Sequence, residues 1–298
     1  KALTLTPTPI ISCGRASGQC YVGDVAKVVP GKWDSGVTLS FRWLRIAPPK
    51  MERTLIGTDT TYRITANDAG IFTITINRPE KLNALNGQVI AELEAVMHDV
   101  YTNPTIKSVL ITGAGEKSFV AGADISEFIG AGEAGGKTLA RRGQDLFFKI
   151  ENCPKVVIAC VNGFALGGGC ELAMACHFRI ASENAKFGQP EVNLGIMVGY
   201  GGSQRLTQKV GKGRAMEMII TGNTINAAQA LEFGLVNYVV PQSDLLATAS
   251  SILETIHSKA PIAIANSIKA INAAWNDNEN GFETEAALFG NCFTTDDC

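Results

Sequence analysis

The sequence predicts an α/β fold with a helical C-terminal region and a small β-rich extension in front of it, and three patterns carry that reading. Short apolar, β-branched runs bounded by turn residues read as buried strands, chiefly Ser108–Thr112 (SVLIT) and Val156–Val161 (VVIACV). Between them lie helices: apolar positions fall at helical spacing over Gly87–Tyr101, and Lys137–Ile150 (KTLARRGQDLFFKI) is helical too. Helix followed by strand, repeated, indicates an α/β layer. Residues 1–58 differ, alternating short β-type runs with turn clusters.

A chain of 298 residues with 46% hydrophobic and 18% charged residues bounds the answer to one or two domains with a sizeable core. Its 26 basic and 28 acidic residues give a net charge of −2, so no polyanion-binding surface and no nucleic-acid partner is expected. The sequence holds no apolar run of about 18 residues, the length a membrane span needs, and its first residues lack the apolar core of a signal peptide. No membrane partner is expected. Since the chain begins with Lys1, an upstream piece is expected to have been removed. Of the eight cysteines, Cys153, Cys160, Cys170 and Cys176 lie in or beside apolar elements and read as small packing residues of a reducing, cytoplasmic compartment. A zinc reading of Cys170, Cys176 and His177 ranks below packing, because ligands on one short helix need closer turns, so no metal is expected. Whether Cys13 and Cys20 bridge is left open.

In chain order, β-type runs at Ala2–Thr6, Gln19–Val29 and Val37–Arg45, punctuated by Pro30-Gly31 and Asp34-Ser35-Gly36, describe an all-β module. Thr60–Asn77 either continues that module or opens the next sheet; the second is favoured, since Thr61–Thr65 and Phe72–Ile76 flank an Asn67–Gly70 turn. His98 reads as surface or packing. Lys117–Ile125 reads as a loop whose Ala121-Gly122-Ala123 lets backbone meet a ligand, or is merely a tight connection. Beyond the central segment come helices at Arg214–Thr221 and Ala227–Phe233, the latter ended by Gly234. A strand follows at Leu235–Val240, then helices at Asp244–His257, Pro261–Trp275 and Gly281–Cys292.

The chemistry concentrates between Val161 and Gly202. Gly167, Gly168 and Gly169 bring backbone close to a ligand, and the helix that follows, Cys170–Cys176, starts with N–H groups that lack internal partners. Fixed donors of that kind suit a developing oxyanion. Glu171 in the first turn of this helix and Glu191 in the FGQPE loop are each, taken singly, a capping or solvated carboxylate; beside one oxyanion site they permit paired acid and base work on a carbonyl compound.

Four ordered motifs complete the pattern: Asn77–Asn86 (NRPEKLNALN), Phe119–Ile125 (FVAGADI), the central stretch from Val161 that holds both glutamates, and Gly201–Leu206 (GGSQRL) at its end. From Tyr62 to Cys298 the chain resembles the crotonase (enoyl-CoA hydratase/isomerase) superfamily, nearest its short-chain enoyl-CoA hydratases. The resemblance implies a crotonase-like repeated ββα core and hydration of the C2–C3 double bond of a trans-2-enoyl-CoA thioester. It implies oxyanion donors at Ala123 and Gly168, water activation by Glu171 and proton delivery to C2 by Glu191. Substrate-binding positions carry over to Lys81, Leu82, Ala84, Ala121, Asp124 and Ile125, with Gly199 shaping the place of the water. No cofactor is implied, coenzyme A being part of the substrate. The implied assembly is a homotrimer or dimer of trimers with terminal helices in the interface; the sequence stops at Cys298, short of the last family helix and its basic residues, so part of the family's coenzyme A phosphate contacts is not expected here. Departures are Val198 and Val156, where proline is frequent, and His177, where aspartate is; a packing or hydrogen-bonding role is preferred for His177. The segment VVPGKWDSGVTLSFRWLR resembles bacterial immunoglobulin-like repeats, giving domains 1–58 and 59–298. The alternatives are an isomerase or 3-hydroxyacyl-CoA dehydratase of the same fold, against which the presence of both Glu171 and Glu191 favours hydration, and a non-catalytic binding or surface protein that uses the β-module.

Overall fold

The computed structural model describes residues 10–12, 27–29, 62–67, 69–128 and 130–295. Within the N-terminal extension Ile10–Ser12 (β1) pairs antiparallel with Lys27–Val29 (β2). The other β-type runs expected there, with Cys13 and Cys20, lie outside the described residues.

Tyr62–Ala66 (β3) and Ile71–Ile76 (β4) form the expected antiparallel hairpin and open the main sheet. Gly87–Thr102 (α1) follows, its first turn closed by Asn86, whose side chain accepts from the Val89 N–H at 2.9 Å. Ser108–Gly113 (β5) then adds parallel to β4. Ser118–Ala121 (β6) is a strand where the sequence suggested only a loop; its partner, Phe164–Leu166 (β8), lies far along the chain, so no local pattern announces it. Gly132–Glu151 (α2) starts five residues before the expected helix, running through Gly135 and Gly136, poor helix formers that hid its first turn. Val157–Val161 (β7), β8 and Gly168–Ala175 (α3) build the centre. Phe178–Ser182 (β9) and Lys186–Gly188 (β10) follow. Then come Gly202–Val210 (α4), Lys212–Thr221 (α5), Thr224–Asn226 (β11) and Ala227–Glu232 (α6).

The expected strand at Leu235–Val240 is shorter, Tyr238–Val240 (β12), because the Leu235 and Val236 N–H groups both donate to the Ala230 carbonyl and finish α6. Leu245–His257 (α7), Pro261–Ala273 (α8) and Gly281–Cys292 (α9) close the described fold.

The strands form a sheet of order β12-β9-β7-β5-β4-β3, parallel except for the β3–β4 hairpin, and a smaller one of order β11-β10-β8-β6. Strand β5 shows why the main sheet reads as continuous apolar runs. Val109 and Ile111 face a core shared with α1, α2 and α3, while Leu110 faces the opposite layer with Leu245, Ala249 and Leu253 of α7. Both faces are covered, so alternation disappears from the sequence.

Candidate active site

The smaller sheet builds the site by bringing two backbone segments side by side. Strands β6 and β8 run parallel, so Ala121–Ala123 and Gly167–Gly168 emerge together from their C-terminal ends, where open α/β sheets place ligands. Leu85 bridges to this edge: its N–H donates to the Gly122 carbonyl at 2.9 Å and its carbonyl accepts from the Asp124 N–H at 2.6 Å. Those bonds straddle Ala123 and leave its own N–H directed away from Leu85. Gly168 is the first residue of α3, where an N–H has no partner within the helix. Among the described residues neither N–H donates a hydrogen bond, and both residues line a cavity of about 1040 Å³. Two unspent donors at one wall can hold an oxyanion.

Glycine is required at 167 on two counts. Its φ is +50°, a left-handed conformation, and a Cβ there would sit 2.7 Å from Oε1 of Glu191. Behind it, Gly169 lies so close to β6 that a Cβ would overlap the Val120 carbonyl oxygen.

The same cavity is lined by Glu171 and Glu191. Glu171 is 1% exposed, and its Oε1 accepts from the Tyr200 N–H at 2.8 Å and the Gly202 N–H at 2.7 Å. Burial, then repulsion from Glu191, pushes its pKa up to about 7 against the opposing pull of those two N–H bonds. Glu191 stands on the 3₁₀ turn Pro190–Leu194 that follows β10, and burial raises its pKa as well. Gln189 is fully buried beside it; with the amide nitrogen turned toward Glu191 it donates to both carboxylate oxygens, at 3.2 and 3.3 Å. Two carboxyl groups that resist ionisation, beside a pair of unspent N–H donors, equip the cavity for proton transfer around an enolate.

The raised pKa of Glu171 has a consequence for stability. The folded protein keeps this proton to about pH 7, whereas the ordinary value is 4.5, so between those values the folded state binds more protons than the unfolded one. Stability therefore falls as pH rises across that window. Denaturation midpoints measured from pH 4.5 to 7 should decline more steeply for the native chain than for Glu171→Gln; equal slopes would mean that the folded-state pKa is not raised.

The expected site residues divide into two groups. Ala121, Ala123, Ile125, Gly168, Glu171, Glu191 and Gly199 all line the cavity. Lys81, Leu82, Ala84 and Asp124 stand outside its lining and have structural partners. Lys81 ends an exposed 3₁₀ turn, Pro79–Lys81. The Leu82 carbonyl accepts from the Ala121 N–H at 3.0 Å, and the Ala84 carbonyl from Nη1 of Arg78 at 2.6 Å. Asp124 spends its carboxylate on Ser126 (2.7 Å) and Arg78 (3.2 Å), which hold its pKa below the usual range. Asn83 locks this turn in a left-handed conformation, φ 61°, donating to the Ala114 and Ser118 carbonyls and accepting from the Arg78 N–H.

Sequence reasoning missed Gln189, Tyr200 and Gly202 as partners of the carboxylates. Gln189 sits in the FGQPE segment and was in view; the other two act through backbone N–H groups and leave no side-chain signal. The ring of Tyr200 packs on Phe147 (5.6 Å between centroids) in a space that a Cβ at Gly143 would occupy. His177 is structural, as preferred: its Nδ1 accepts from the Val157 N–H at 2.9 Å and its Nε2 faces the Glu151 carbonyl at 3.1 Å. Val156 is buried in the layer under α7, and Val198 lines the cavity. Among the described residues no group of His, Cys, Asp and Glu is arranged to hold a metal ion, and no helix is long and apolar enough to cross a membrane.

Fold and site together suit a class of enzyme that pairs acid–base carboxyl groups with two backbone N–H donors able to hold an enolate oxygen. Comparison with known proteins makes the assignment specific. The profile of the enoyl-CoA hydratase/isomerase family matches residues 66–298, and the chain belongs to that family. It is 48% identical over 237 residues to the short-chain-enoyl-CoA hydratase of Clostridium acetobutylicum, covering 78% of this chain and 90% of that protein. To the crotonyl-CoA hydratase of Syntrophomonas wolfei it is 47% identical over 223 residues, covering 74% and 86%. The crystal structure of an enoyl-CoA hydratase from Bacillus anthracis superimposes with a TM-score of 0.76 at 37% identity, over 80% of this chain and 93% of that one.

Proposed function

We propose that this chain hydrates trans-2-enoyl-CoA thioesters to 3-hydroxyacyl-CoA. The observation that carries the reading is the pair of carboxyl groups, buried Glu171 and half-buried Glu191, in one cavity with the unspent N–H groups of Ala123 and Gly168. The thioester oxygen takes the two N–H donors, which draws electron density out of the C2–C3 double bond. Ionised Glu171 removes a proton from water as its oxygen bonds to C3, and the resulting enolate takes a proton at C2 from Glu191. Each donor supplies roughly 10²–10³ in rate and each acid–base group about 10²–10⁴. Coenzyme A arrives as part of the substrate, so these steps use the chain's own groups alone. The testing experiment is loss of the conjugated thioester absorbance of crotonyl-CoA in water; a purified chain that leaves it unchanged refutes the reading.

Because Glu171 acts as the base, kcat should rise with pH along an acid limb centred near 7, where burial and Glu191 put its pKa. A profile flat from pH 5.5 to 8 would remove Glu171 from the role of base.

The assembly is a homotrimer or a dimer of trimers. Helices α8 and α9, with Phe293 just after α9, leave Ile262, Phe282, Phe289 and Phe293 in solvent on one described chain, Phe282 at 86% exposure, more apolar surface than a peripheral helix keeps in water. Light scattering checks this, and a fully active monomer overturns it. The unpaired thiols of Cys153, Cys160, Cys170 and Cys176 fit a cytoplasmic enzyme. The domain boundary is placed at residue 58, with 59–298 as the catalytic domain; among the described residues both cores are built from positions after 68.

A further inference from the structure

On the far side of α3 from the catalytic cavity lies a second one, of about 490 Å³, between α8 and the ends of α2, α3 and α4. Its walls are mixed in a telling way. Ile264 and Ile268 of α8, Met174 of α3 and, at the rim, Ile271 make its apolar surface. Into this surface the chain places Lys209, near the end of α4.

Among the described residues the Lys209 ammonium has no hydrogen-bond or ion-pair partner. The carboxylate lining the cavity, Glu151, is already committed: Nε of Arg205 reaches both its oxygens at 3.2 Å and Nη2 reaches one at 2.8 Å. Arg179, buried nearby, gives Nε to the Leu235 carbonyl and Nη1 to the Cys176 carbonyl and adds a further positive charge. His177 is held neutral, burial pushing its pKa down to about 4. Burial, followed by the Arg179 guanidinium, lowers the Lys209 pKa to about 8 against the pull of Glu151. Lys209 is half-buried, and a partly desolvated charge without a direct partner is costly; an opposite charge on an apolar stem relieves it while covering the isoleucines.

We propose that this cavity is a binding site for an aliphatic monocarboxylate, its carboxylate on Lys209 and its alkyl chain along Ile264 and Ile268. The site is separate from the catalytic cavity and uses none of its residues. A carboxylate suits it better than a phosphate ester, since the Lys209 ammonium is the one uncommitted cation among the described lining residues apart from exposed Lys259.

Titration calorimetry of the full chain with octanoate tests this, alongside Lys209→Met and Lys209→Arg. Octanoate should bind the native chain and Lys209→Arg, bind Lys209→Met roughly ten- to a hundred-fold more weakly, and leave crotonyl-CoA hydration by Lys209→Met unchanged. Ala263→Phe, which narrows the cavity and keeps the charge, should weaken octanoate binding as well, so the test survives if Lys209→Met folds poorly. Equal affinity of the native chain and Lys209→Met, or no heat with the native chain, overturns the proposal. So does a change in subunit number on Lys209→Met with octanoate silent, which would make this face a contact between copies of the chain.

Discussion

Glu191→Gln should lower crotonyl-CoA turnover by roughly 10²–10⁴-fold while the protein stays folded and as stable as before. The side chain keeps its size, so the cavity keeps its shape. What goes is a proton that can be delivered to C2. Stability should hold or rise, because burial already opposes ionisation of Glu191 and a neutral amide escapes that cost. Glu171→Gln should lose activity on the same scale for a complementary reason: the amide oxygen can still accept from the Tyr200 and Gly202 N–H groups, so the local fold survives, but no base remains for water. Paired measurements of kcat and melting temperature check both variants. Turnover within a few-fold of the native chain, for either one, would take that residue out of the mechanism.

How much of this was legible in the sequence depended on how local each signal is. The hairpin of β3 and β4, helix α1 and strand β5 follow from patterns inside a dozen residues, and all three stand as expected. The two carboxylates and the glycine turn were readable because side-chain type and glycine spacing are printed in the chain. Strand β6 was not, since its identity rests on pairing with β8 across the intervening helix. Nor was the support for Glu171, which comes from backbone N–H groups at Tyr200 and Gly202, nor the commitment of Asp124 to Arg78, 46 residues away. Backbone donors have no letter in a sequence, and a carboxylate's partner is decided by the fold. The resemblance to the family placed Asp124 among substrate-binding positions; in the structure its carboxylate is bonded to Ser126 and Arg78, beside the turn that carries Ala123.

Gly169→Ala should cost both stability and activity, although helix propensity alone argues the opposite. Residue 169 lies within α3, where alanine is favoured over glycine by about 1 kcal/mol. Packing outweighs that preference. The added Cβ would overlap the Val120 carbonyl oxygen, and β6 cannot step aside because Val120 is paired in register with Ala165 of β8. The helix must slide, and overpacking of this kind costs about 1–3 kcal/mol, enough to lower the melting temperature by roughly 2–10 °C in a domain of this size. Sliding α3 also moves the Gly168 N–H relative to the Ala123 N–H, which sits on the far side of the same contact. A donor displaced by about 1 Å can cost on the order of 10²-fold in rate. Gly213→Ala in α5 is the control, since nothing lies within 4 Å of a Cβ there, and it should be neutral or slightly stabilising. Calorimetry and steady-state kinetics on the two variants separate the effects: if Gly169→Ala melts and turns over like Gly213→Ala, the spacing between β6 and α3 does not set the distance between the oxyanion donors.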